Sequence, residues 1–154
     1  MAKPDLQRLA DLAQVVGALG VIISLVYVAL EVGQNTQALK AATFQEMAAQ
    51  SVEIGLRAVD DPEYGDFFIK AALTPDSLNE LEDLRWNALL GGTFRQFENV
   101  HYQFSIGMLE PRMWKGYSAV ITRFASTPGS KRWWAANREF YNEEFALYID
   151  GVIE

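Results

Sequence analysis

The sequence predicts an all-α protein in which a single N-terminal transmembrane helix continues into a compact helical bundle. Three observations carry this. Residues 12–30, LAQVVGALGVIISLVYVAL, form a run of 19 residues without a charge. No segment alternates apolar and polar residues for more than a few positions, as a half-buried strand would. The apolar residues that follow the run recur at intervals of three and four, the period of one helix face. The expected organisation is an N-terminal flank over 1–11, a transmembrane helix over 12–32 and a bundle over 33–154.

As a helix, the 19-residue run is roughly 28 Å long at 1.5 Å per residue. The hydrocarbon core of a bilayer is about 30 Å thick, and a helix satisfies its own backbone hydrogen bonds there. Asp11 and Glu31 bound the run with charges, Tyr27 lies near one end, and the nearest prolines are Pro4 and Pro62. Two other readings pass part of this test, a central helix buried in a soluble bundle and a cleaved signal peptide. The run is longer than the 7–15 residues usual for a signal peptide, and VALEVG follows where a small-x-small cleavage site would be expected. Lys3 and Arg8 precede the run and Lys40 follows it, so positive charge favours a cytoplasmic N-terminus.

Ala13, Gly17, Gly20 and Ser24 are spaced by four, three and four residues and share a helix face, which Glu31 continues at the membrane edge. In lipid, small residues let helices approach closely, so this is the expected packing face of the anchor. Gln34-Asn35-Thr36-Gln37 follow as a polar collar.

The next stretch, Ala38 to about Val59, is rich in helix-favouring Ala, Gln, Glu and Met, and Phe44, Met47, Ala48, Ser51, Ile54 and Gly55 recur at helical spacing. Asp61-Pro62 reads as a cap and first helical residue, opening a short helix that ends at Leu73 with Tyr64, Phe67 and Phe68 as its apolar side. Thr74-Pro75-Asp76-Ser77 is a turn, and Ser77 with Glu80 has capping-box spacing. The longest helix of the bundle is expected over 78–107, with Trp86, Leu90, Phe94, Phe97, His101, Phe104 and Met108 as its core stripe. Gly91-Gly92 lies in its middle at a cost of about 1 kcal/mol per glycine, which suggests a close contact or a bend. Pro111 starts a further helix that turns Trp114, Tyr117, Ser118 and Ile121 inward. Beyond Ser126-Thr127-Pro128-Gly129-Ser130, one or two last helices over 131–137 and 139–153 supply Trp133, Trp134, Phe140, Tyr141, Phe145, Tyr148, Ile149 and Val152.

Composition excludes much chemistry. The chain has no cysteine and one histidine, so thiolate nucleophiles, disulfides and Cys- or multi-His metal sites are absent from its repertoire. With 13 Lys+Arg against 20 Asp+Glu, the net charge of −7 disfavours nucleic acid. Glu98 and His101 form one E-x-x-H element, but the di-iron bundles that use this element need two. The acidic groups 60–66 and 76–83 sit at expected helix starts, where negative charge suits the helix dipole. Lys131, Arg132, Trp133, Trp134 and Arg138 form a basic–aromatic group that serves as core, as a partner interface or as a lipid contact.

Gln34-Asn35-Thr36 with Ala38-Leu39, and Pro128-Gly129 with Trp133-Trp134, resemble elements of a widespread group of small, uncharacterised bacterial proteins. Members have one hydrophobic N-terminal helix, a QNT-x-AL-like juxtamembrane segment and a Pro-Gly…Trp-Trp element near the C-terminus. The resemblance covers most of the chain and implies a bacterial, membrane-anchored helical protein. It transfers no activity and no site residues. Members are often basic after the membrane segment, whereas this chain has Glu31 and Gly33.

Together these readings lead to the expectation of a non-enzymatic accessory, assembly or scaffold protein of the bacterial inner membrane. Its partner is itself or a larger membrane complex, and it uses no cofactor or metal. The alternatives are a small homo-oligomeric channel lined by Ser24, Glu31 and Asn35, and a helical-bundle enzyme or ligand sensor with a pocket near Glu98 and His101.

Overall fold

The computed structural model describes residues 3–154, with side chains described for all of these except 3–5, 50–51 and 53–60. The protein is all-α: a long N-terminal apolar helix followed by a compact bundle of helices, with no strand among the described residues. The helices are α1 (Lys3–Asp60), α2 (Pro62–Leu73), α3 (Glu80–Ser105), α4 (Pro111–Ala125), α5 (Pro128–Asn137) and α6 (Glu143–Ile153). Two short 3-10 turns, Pro75–Ser77 and Arg138–Phe140, join α2 to α3 and α5 to α6.

The chain divides into two compact units, Met1–Ala42 and Thr43–Glu154. The described residues of the first are helix alone. The second begins at Thr43; residues 33–39 are all exposed, and Met47 is the first buried side chain among the described residues. The packing expected of Ser51, Ile54 and Gly55 lies outside the described residues.

Within the second unit, proline and its preceding residue start four helices or turns. The Asp61 carboxylate accepts from the backbone N–H groups of Glu63 and Tyr64, and Pro62 opens α2. Pro111 opens α4 and Pro128 opens α5, where the Thr127 hydroxyl caps Ser130 N–H. The start of α3 differs from the expectation. Its capping box is Asn79 with Glu82, while the Ser77 hydroxyl donates to the Thr74 carbonyl inside the preceding turn. Glu82 also accepts from Lys70 Nζ at 2.6 and 2.8 Å, so one carboxylate caps α3 and ties it to α2. At the other end of α3, Gly107 takes φ +74°, a conformation that costs side-chain-bearing residues energy, and turns the chain toward α4.

The core stripe of α3 lies where its spacing places it. Trp86, Leu90 and Phe94 are buried, with Phe97, His101, Phe104 and Met108 half-buried beyond them. Ala71 and Ala72 of α2, Ile121 and Ala125 of α4, Trp133 and Trp134 of α5, and Phe145, Ala146 and Ile149 of α6 close around it. A smaller cluster joins Met47 of α1 to Val100 and Leu109. Phe140, expected to add apolar packing, is instead 63% exposed.

The close approach in this bundle is at Gly129, not at Gly91-Gly92. A Cβ on Gly129 would stand 2.1 Å from the Ala71 carbonyl oxygen and 3.1 Å from the Trp86 indole nitrogen. A Cβ on Gly91 would make ordinary contact with Trp133 at 3.9 Å, and one on Gly92 would meet nothing. Gly129→Ala is therefore expected to destabilise the bundle by about 2–3 kcal/mol, since backbone must shift to admit the methyl. Gly92→Ala is expected to stabilise it by about 0.5–1 kcal/mol through helix propensity alone. Urea unfolding of the two variants checks the opposite signs.

Candidate functional site

The apolar surface of α1 is the most unusual feature of the chain. Its most apolar 18 residues have a mean hydropathy of 2.4, and none of that window is buried within the protein. Val15, Ile22, Leu25 and Val28 are all more than half exposed. The core helix of a soluble protein hides such residues against its own chain, so residues 12–30 are not the centre of this bundle. Length and composition suit a membrane span; a helix near the N-terminus that serves as a signal sequence meets the same criteria.

On this helix the small-residue face is open. Added Cβ atoms at Gly17, Gly20 and Gly33 would meet nothing, and Ala13 and Glu31 are exposed. Ser24 donates to the Gly20 carbonyl at 2.8 Å and Thr36 donates to the Val32 carbonyl at 2.8 Å, which satisfies both hydroxyls inside the helix.

The basic–aromatic group does not form a surface patch. Trp133 and Trp134 are 7% and 2% exposed, and Phe94 stacks on both at 5.2 Å. Both indoles belong to the hydrophobic core. The three cations around them hold neighbouring elements of the same bundle. Lys131 Nζ donates to the Ile153 carbonyl at the end of α6. Arg132 donates to the Pro75 carbonyl at 2.9 Å and to Asp83 at 2.5 Å, fastening the first 3-10 turn to α3 and α5. Arg138 donates to Asp150 at 2.7 Å and to Glu143 at 3.1 Å. These hydrogen bonds, Glu143 first and then Asp150, raise the Arg138 pKa.

Asp150 is the second half of that fastening. One oxygen accepts from the buried Trp134 indole N–H at 2.9 Å and the other from Arg138 Nε. The Trp134 bond, and after it the Arg138 bond, hold the carboxyl below the usual carboxylate range. Glu82 is likewise held low, first by Lys70 and then by the Asn79 backbone N–H.

Glu98 and His101 do not build a site together. Glu98 accepts from the Asn142 backbone at 2.9 Å and from its carboxamide at 2.7 Å, and it also pairs with Arg95. It thus ties the N-terminus of α6 to α3. The His101 ring stacks on Tyr148 at 5.0 Å and lies against Trp114 and Phe145. Burial lowers its pKa, opposed by the charge of Glu144. Among the described residues no group of three or more His, Asp or Glu is placed to hold a metal ion.

A cleft of about 450 Å³ opens between the first 3-10 turn, the start of α3 and α5. Asp76, Glu80, Asp83 and Arg132 are its charged lining residues, and Arg132 is already paired with Asp83 and, at 3.5 Å, with Asp76. Sequence reasoning missed it, because Asp83 and Arg132 are 49 residues apart and no local pattern links them.

No family model, curated protein or solved structure matches the chain.

Two expectations follow from the ion pairs and the histidine. Asp150→Ala leaves the buried Trp134 N–H without its acceptor and should cost about 2 kcal/mol in urea unfolding. Asp150 and Glu82 titrate lower in the folded than in the unfolded chain, so their stabilisation is complete above pH ~4 and is lost as pH falls through their folded values. His101 is held neutral, so the unfolded chain takes up its proton first and stability begins to fall below pH ~6.5. Melting temperature against pH should therefore decline in two stages, and His101→Phe should remove the upper one.

Proposed function

We propose that this chain is a membrane-anchored accessory or scaffold protein that works through protein–protein contacts. The observation that carries the reading is the contrast within one chain. An apolar helix with a mean hydropathy of 2.4 over 18 residues covers none of that surface, while Thr43–Glu154 packs its own tryptophans and phenylalanines into a core. Exposed apolar surface on that scale is stable in a bilayer and not in water. In this reading α1 holds the folded unit at the inner membrane of a bacterium, with the N-terminus in the cytoplasm as Lys3 and Arg8 favour. The partner is a second copy or a larger membrane complex. Nucleic acid is a poor partner for a chain of net charge −7.

Two features of the bundle support a binding role over a catalytic one. Arg132, Arg138, Glu98 and Asp150 are engaged in holding helices together. The His101 ring lies in an aromatic cluster rather than beside a carboxylate pair.

The test is fractionation followed by native mass measurement. The full chain should stay in the membrane pellet through a carbonate wash, and gentle extraction should release it in a complex heavier than one copy. Release by carbonate, or a monomer after gentle extraction, would sink the reading.

A further inference from the structure

We draw no further inference here: the strongest candidate, the cleft of about 450 Å³ between the first 3-10 turn, the start of α3 and α5, is lined by an acidic cluster at a helix start whose cation, Arg132, is already paired with Asp76 and Asp83, and nothing among the described residues marks what would occupy it.

Discussion

Phe94 lies against the rings of Trp133 and Trp134, 5.2 Å from each, and the bundle is arranged around that stack. Its ring also meets Phe97, Phe124 and Tyr141, so one side chain joins α3 to α4, α5 and the start of the α6 segment. Large flat rings bury much apolar area with few torsions to fix, which suits a small domain with no disulfide. The arrangement needs α5 to enter close to α2. Gly129 allows this by presenting no side chain to the Ala71 carbonyl. The approach has a cost in the Trp86 indole nitrogen, which is buried without a hydrogen-bond partner.

Charged groups act as ties between elements around this core. Lys70 with Glu82 joins α2 to α3, Glu98 with Asn142 joins α3 to the start of α6, and Arg138 with Asp150 joins the second 3-10 turn to α6. Each tie also accepts from a backbone or indole N–H, and Asp150 thereby satisfies the buried Trp134 indole. A half-exposed ion pair alone is worth little, but one that also satisfies a buried donor is worth more. The same economy explains why the cations near the C-terminus make no basic patch. Their partners are carboxylates and backbone carbonyls of the same bundle.

Helix starts were legible because their causes are local. Asp61-Pro62 sets its own cap and first residue, and Pro111 opens α4 as expected; Pro128 opens α5 inside the stretch that the sequence reads as a turn. Ser77 and Glu80 had equally good spacing and were not used. Ser77 is drawn into a 3-10 turn, and the competing box gains from the Lys70–Glu82 pair, an interaction across 12 residues. Gly91-Gly92 was read as a close contact or a bend, and the close contact lies at Gly129, because spacing along one helix says nothing about which neighbour arrives. Glu98 and His101 illustrate the same limit. Their spacing is that of a metal half-site, but the partners of each side chain come from α4 and the α6 segment.

The sequence by itself determined the helical class, the one apolar run without a charge, the core stripe of α3 and the limits on metal and thiol chemistry. These depend on residue type and on periodicity along a single element. Only the tertiary structure decided that the apolar run covers nothing in this chain, that Trp133-Trp134 is core, and that Arg132 and Arg138 are internal ties. Burial and charge pairing are set by residues distant in sequence, and a local pattern does not specify which of several suitable partners will be in reach.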